Sequence, residues 1–202
     1  MSILKDTLKQ DNHQDTYVAD SDRKYCMIGK SFIKSDFEYA KQYKVAFDLL
    51  FNTSVDNRQI SMPMLFLLHH YFELILKYNI QYFMDKSGEN ALKTNLNNTH
   101  NLIALRNAFY QHWNAIKKLY PELLYEKEKV AETKFHKNLN SIIDILSSMD
   151  KDSSATRFFK DKQGNVSLGN KIVNLKLLKE LTDSVVPYLN NIIEIFKRGV
   201  QK

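Results

Sequence analysis

The chain has 202 residues, of which 29 are basic and 23 acidic, so its formal net charge is +6. The single cysteine, Cys26, excludes an internal disulfide framework and a zinc site built from several thiolates. The 5 glycines and 3 prolines are few, which favours long helices, and we therefore predict an all-α fold. The basic excess permits contact with nucleic acid or anionic lipid, although a mildly basic solvated surface is the simpler explanation.

Residues 1–34 are polar and show no sustained helical period, so we expect a polar N-terminal arm followed by a single helical domain at 35–202. The N-terminus lacks the apolar run of a signal peptide. The most apolar segment, 62–84, is interrupted by histidine and charged residues, so we expect no membrane span. These features and the cysteine content predict a cytoplasmic protein.

Helical periodicity predicts about five helices, which cover 36–52, 61–84, 99–121, 121–148 and 174–197. Ser35 is the expected N-cap of the first helix, and Glu38 is placed to complete a capping box. Ser61 and Pro63 are typical of a helix start and place the beginning of the second helix. Thr99 is the expected N-cap of the third. The second helix is apolar nearly all round, so we expect it to be the central, buried helix.

Residues 150–170 break the helical period. Two short apolar pieces there flank KDKQGN, which is compatible with a small hairpin or with an ordered loop. We therefore predict an all-α helical bundle of about five helices with a small irregular or hairpin insertion near 150–170.

The apolar second helix carries a polar stripe, formed by His70, Glu73 and Lys77. Their spacing of i, i+3 and i+7 places them on one face, and a glutamate four residues before a lysine is the order that stabilises a helix. An unpaired charge inside a protein is strongly destabilising, so a buried stripe needs partners. Two interpretations stay open: a polar interface between helices whose groups are all paired, or the lining of a cleft or dimer interface.

The histidines of the second helix do not predict a metal site. His69 and Glu73 form an i, i+4 pair, but HHYFE lacks the His-Glu-x-x-His order of zinc proteases. A larger ligand set would require His100 to fold back beside them. We therefore predict neither a metal nor another cofactor.

The segment RNAFYQH carries an arginine, a polar residue and a histidine, namely Arg106, Asn107 and His112. Six residues along a helix turn by about 600°, which leaves the arginine and the histidine roughly 120° apart, so both can flank one broad face. Such a pair suits RNA cleavage by the 2′-hydroxyl, with the histidine moving the proton and the arginine balancing charge in the transition state. The simpler interpretation is a core histidine beside a surface arginine.

Three stretches resemble the HEPN superfamily, small helical-bundle proteins that are frequent in bacterial toxin, phage-defence and RNA-processing systems. FLLHHYFELILK is similar to its alternation of apolar residues around Glu-x-x-x-Lys, THNLIAL to its Gly-His-x-Leu-x-x-Leu segment, and RNAFYQH to its Arg/His motif. The later segment DSSATRFFKDKQG looks like an Arg-Phe-Tyr-Pro segment of bacterial relatives, with Phe159 and Lys160 in place of tyrosine and proline.

The resemblance implies a helical bundle that pairs as a homodimer and cleaves RNA without a metal. Arg106 and His112 of both subunits would form the composite endoribonuclease site, and Asn107 would assist. A bacterial toxin or phage-defence system, with a partner protein from that system, is the implied setting. The alternative is a catalytically inactive HEPN-like module that binds a partner protein or a nucleotide, with these binding residues: His69, His70, Glu73, Lys77, His100 and Arg157.

Overall fold

The computed structural model describes residues 35–87, 96–121, 126–150 and 172–200. These ranges contain five α-helices: α1 (Asp36–Phe51), α2 (Asn57–Ser87), α3 (Leu102–Leu119), α4 (Glu126–Met149) and α5 (Leu175–Val200), with a short 3-10 helix at Leu96–Asn98. The described residues include no strand. The predicted all-α bundle of about five helices is therefore confirmed. The predicted arm at 1–34 and the insertion after Asp150 lie outside the described residues.

Helix α2 lies at the centre of the bundle, as its apolar composition predicts. It packs against α1, α3 and α5, while α4 packs against α3 and α5. Residues across a broad face of α2 are fully buried, among them Leu68, Phe72, Ile75, Leu76 and Ile80. A helix with a broad buried face in contact with three neighbours buries more surface than a helix with one narrow apolar stripe, so α2 anchors the common core. No helix in the described ranges combines the length and apolarity that crossing a bilayer requires.

Helices α4 and α5 show the narrower apolar face of helices at the edge of a bundle. Their buried residues recur at steps of three and four, as at Phe135, Leu139, Ile142 and Leu146 in α4 and at Leu178, Thr182, Val185, Leu189 and Ile192 in α5. This is the spacing that places side chains on one helical face. The apolar period of the sequence thus predicts which face of each helix enters the core.

The start of α2 differs from the prediction. The helix begins at Asn57 rather than near Ser61, and Oδ1 of Asp56 accepts a hydrogen bond from the backbone N–H of Arg58 at 2.9 Å. Pro63 therefore lies in the second turn, where its missing N–H leaves the carbonyl four residues earlier without a helical partner. That earlier residue is exposed, so water can supply the bond. The predicted start at Ser61 is therefore one turn too late, because an exposed proline is tolerated in the second turn.

The N-caps of α1 and α3 depend on short polar side chains. Oγ of Ser35 accepts from the backbone N–H of Glu38 at 3.3 Å, so the first predicted cap is confirmed. The second prediction, Thr99, is wrong, because Oδ1 of Asn101 accepts from the backbone N–H of Ala104 at 2.9 Å. Thr99 instead closes the 3-10 turn through a backbone bond to the carbonyl of Leu96 at 3.2 Å.

Substitution of Asn101 by alanine is expected to lower the free energy of unfolding by about 1 kcal/mol, because one backbone donor at the start of α3 loses its partner. Asn101→Asp keeps an acceptor at the same place and adds a negative charge near the positive end of the helix, so it should retain the stability. Urea unfolding followed by circular dichroism measures both variants. Equal midpoints for the alanine and aspartate variants would show that the cap contributes nothing.

Candidate functional site

A buried carboxylate on α2 collects two basic side chains. The side chain of Glu73 is only 6% exposed, yet its Oε1 accepts a hydrogen bond from Nζ of Lys77 at 2.8 Å. Nδ1 of His100 lies 2.9 Å from the same oxygen. His100 directly precedes Asn101, the N-cap of α3, and its side chain is 52% exposed. We call these three residues (Glu73, Lys77 and His100) the Glu73 cluster.

The surroundings of Glu73 keep it ionised. Burial by itself raises the pKa of Glu73, but the hydrogen bonds and positive charges of Lys77 and His100 outweigh this effect and lower the pKa below its ordinary value. An ionised carboxylate can only accept hydrogen bonds, so Nδ1 of His100 carries the proton of the bond to Glu73. The other ring nitrogen, Nε2, makes no hydrogen bond to any described residue. The Glu73 cluster therefore presents one oriented imidazole nitrogen at the surface.

His70 does not join the Glu73 cluster, although it shares the predicted polar stripe. Its ring stacks on Tyr43 of α1 at a centroid distance of 5.2 Å and lies 4.2 Å from the ring of Phe66. The stripe thus divides into a histidine packed among aromatic rings and an ion pair one turn later. The pairing of Glu73 with Lys77 and His100 fits the interpretation of a paired polar interface, and His100 brings this pair to the surface. The alternative, the lining of a cleft or dimer interface, stays a prediction.

His69 belongs to the core. It is 1% exposed, and burial lowers its pKa, although the charges of Asp150 and Glu73 and the backbone of Asp150 oppose that shift. The side chain is therefore neutral near pH 7 and contributes packing rather than charge. Within the ranges that the structure describes, no three residues among His, Cys, Asp and Glu form a group suited to a metal ion.

Arg106 joins α3 to α4 rather than facing an open surface. Its side chain is 14% exposed, and Nη1 donates to Oδ1 of Asp144 at 2.9 Å. Nε and Nη2 also lie 3.4 Å from Oδ1 of the neighbouring Asn107, which is itself exposed. A parallel contact links the hydroxyl of Tyr110 to Oδ1 of Asn140 at 3.1 Å. Arg106 is thus one of a row of polar contacts between the two helices.

His112 points to the other side of α3. The residue is 0% exposed, and its Nδ1 lies 2.8 Å from Oγ of Ser87 at the end of α2. Arg106 and His112 therefore have different partners on different helices, as their separation of roughly 120° around the helix allows. A residue that completes a site across a dimer interface must be exposed in the separate subunit. The geometry of the single chain accordingly favours the interpretation of His112 as a core histidine.

A second buried carboxylate, Glu132 of α4, was not singled out by the sequence analysis. Its Oε1 accepts from Nε1 of Trp113 at 2.6 Å and from Nζ of Lys117 at 2.9 Å, and Nε2 of His136 lies 3.2 Å away. We call these four residues the Glu132 cluster. Burial alone would raise the pKa of Glu132, but the hydrogen bonds from His136, Lys117 and Trp113 hold the pKa at about 2. The sequence shows two i, i+4 pairs, Trp113 with Lys117 in α3 and Glu132 with His136 in α4. It does not show that these two pairs meet across the two helices.

The last predicted binding residue, Arg157, lies outside the described residues. Comparison with known proteins adds no relative, since no protein-family model, curated protein or solved structure matches this chain. The resemblance to the HEPN superfamily therefore stays a prediction that rests on the stretches FLLHHYFELILK, THNLIAL and RNAFYQH.

Proposed function

We propose that this protein is a HEPN-like helical module that binds a phosphate group of RNA or of a nucleotide at the Glu73 cluster. One observation carries the proposal: a single buried oxygen of Glu73 holds the ammonium of Lys77 and the half-exposed imidazole of His100 beside each other. The ammonium of Lys77 donates to phosphate oxygens, and Nε2 of His100 does so when the imidazole is protonated, because Nδ1 already donates to Glu73. The side chain of Lys77 is 14% exposed and that of His100 is 52% exposed, so we expect the phosphate to approach from the side of His100.

The small net charge of the Glu73 cluster is suited to weak binding of an anion. Glu73 balances Lys77, so the cluster is neutral while His100 is neutral and carries one positive charge when His100 is protonated. The start of α3 lies next to His100, and the first N–H groups of a helix attract negative charge. The net charge of +6 of the whole chain adds a long-range attraction for nucleic acid that salt screens.

The other function that the resemblance implies is metal-independent RNA cleavage by Arg106, Asn107 and His112 in a homodimer of a toxin or defence system. It needs His112 to leave the core and Arg106 to separate from Asp144. Binding at the Glu73 cluster needs neither movement. We therefore propose phosphate binding as the main function and ribonuclease activity as the second candidate function.

Binding of a short fluorescently labelled single-stranded RNA at low salt tests the proposal by fluorescence anisotropy, with labelled ATP as a second probe. Lys77→Gln is expected to weaken binding about 10-fold, the loss of one charge-assisted hydrogen bond. Lys118→Gln is the matched control, because it removes the same charge from an exposed position on α3. His100→Ala should weaken binding by a similar factor.

Thermal unfolding of each variant separates loss of binding from loss of fold. If the folded wild type binds neither probe at low salt, the proposed function is wrong. If Lys77→Gln and His100→Ala both bind as tightly as the wild type, the phosphate site lies elsewhere on the surface.

A further inference from the structure

We propose that His100 is a phosphoryl acceptor, and that phosphorylation of its Nε2 switches off phosphate binding at the Glu73 cluster. The switch rests on the proposed function, whereas the acceptor chemistry depends only on the geometry of His100. Nε2 would form a bond to the terminal phosphorus of a nucleoside triphosphate, the bridging P–O bond would break, and the nucleoside diphosphate would leave. The N-linked phosphate then occupies the place of the ligand phosphate.

The first support is the orientation of the imidazole. Nδ1 is held 2.9 Å from the carboxylate of Glu73, so the lone pair is on Nε2 whenever the ring is neutral. A carboxylate at one ring nitrogen increases the electron density of the other, as it does for metal-bound and catalytic histidines. Glu73 is 6% exposed and cannot itself be reached from solvent, so it acts as a positioning residue.

The second support is accessibility. The side chain of His100 is 52% exposed and sits on the connection before α3, where a modifying enzyme can reach it. The ammonium of Lys77 is bound to the same Glu73 oxygen as the imidazole, so it places a positive charge close to His100. The start of α3 supplies further positive potential next to His100.

The other described histidines are less suited to the same reaction. His69 and His112 are buried, and His70 is packed between aromatic rings. His136 offers a natural contrast: it also lies beside a buried carboxylate, but there the nitrogen that faces Glu132 is Nε2 and the side chain is 25% exposed. His136 therefore has its less hindered nitrogen occupied, whereas His100 has it available.

The consequence for binding follows from charge. A phosphorylated side chain carries roughly −1.5 to −2 charges near neutral pH. Placed on Nε2, that charge repels a second phosphate and occupies the hydrogen bonds of Lys77. Phosphorylation should therefore weaken RNA binding at least as strongly as removal of the imidazole.

The experiment uses potassium phosphoramidate, which transfers its phosphoryl group to histidine with release of ammonia. The folded full chain carries His13→Gln as background in every sample, because that histidine lies outside the described residues. Peptide mass spectrometry locates the modified histidine, and phosphorus NMR distinguishes the Nε2 from the Nδ1 isomer. We expect His100 to react about 10-fold faster than His136, and on Nε2.

Two variants complete the test. Glu73→Gln should slow the reaction of His100 and yield a mixture of both isomers, a change of regiochemistry that loss of a purely structural contact would not produce. Glu132→Gln is the matched control and should leave the reaction of His100 unchanged. RNA anisotropy on the phosphorylated protein should show at least a 10-fold loss of affinity.

Equal rates at His100 and His136, or an Nδ1 product at His100, would overturn the assignment of His100 as the acceptor. Unchanged RNA affinity of the fully phosphorylated protein would overturn the switch. If the unmodified protein binds no phosphate probe, the proposed function and the switch fail together, while the rate and regiochemistry at His100 still decide the acceptor.

Discussion

Replacing Glu132 by leucine is expected to lower the free energy of unfolding by about 3–5 kcal/mol, since removing one member of a buried charged network leaves its partners unpaired. The partners are the indole N–H of Trp113, the ammonium of Lys117 and the imidazole of His136, which all meet one carboxylate oxygen. Glu132→Gln keeps an oxygen acceptor and should lose less, about 1–3 kcal/mol. Urea unfolding at neutral pH measures both, and Glu180→Leu, at an exposed position of α5, is the control.

The same carboxylate predicts how stability depends on pH. The pKa of Glu132 is about 2 in the folded chain, against an ordinary value of 4.5. A depressed pKa means that the stabilisation is fully present above the unfolded value and is lost as pH falls through the window from about 4.5 to about 2. The difference in stability between wild type and Glu132→Gln should therefore shrink across that window. A constant difference would mean that the charge of Glu132 does not stabilise the fold.

Replacing His112 by alanine is expected to lower the free energy of unfolding by about 2–4 kcal/mol, because it opens a cavity in the core and removes the bond to Ser87. His112→Leu fills most of that space, and Oγ of Ser87 keeps a bond to the carbonyl of Met84 at 3.4 Å. The leucine variant should therefore remain folded with a loss of about 1 kcal/mol. Urea unfolding followed by tryptophan fluorescence measures the two.

The leucine variant also decides between the two interpretations of RNAFYQH. Cleavage of labelled total RNA in EDTA by wild type and by folded His112→Leu is the measurement, with oligomeric state determined in parallel. We expect wild type and His112→Leu to give the same RNA cleavage result, because a histidine buried in the core takes no part in catalysis. Cleavage by a dimeric wild type that the folded leucine variant lacks would instead support the ribonuclease implied by the HEPN resemblance.

The helices themselves were largely predictable, because they depend on residues close together in the chain. The three- and four-residue spacing in α4 and α5 identified the buried faces, and the apolar composition of α2 identified the central helix. The residues at which the helices begin were predicted less accurately. Thr99 and Asn101 are both good caps, and only the 3-10 turn before α3 decides that Asn101 takes the position.

The candidate site was predictable only in part. The sequence placed Glu73 four residues before Lys77 on one face, which is a local relation within a helix. The third member, His100, is 27 residues from Glu73, and whether it folds back depends on how α3 packs against α2. The same limit explains why the contact between Trp113 and Glu132, which are 19 residues apart, was missed.

The sequence by itself determined the helical class, the central helix and the pairing of Glu73 with Lys77, because period, composition and i, i+4 neighbours act within one helix. Only the tertiary structure decided which polar groups meet across helices. The rotation of α3 carries His112 into the core and Arg106 to Asp144, while the connection before α3 brings His100 to Glu73. A helix turns its side chains through about 100° per residue, so a small change in its rotation exchanges buried and exposed positions, and no local pattern specifies that rotation.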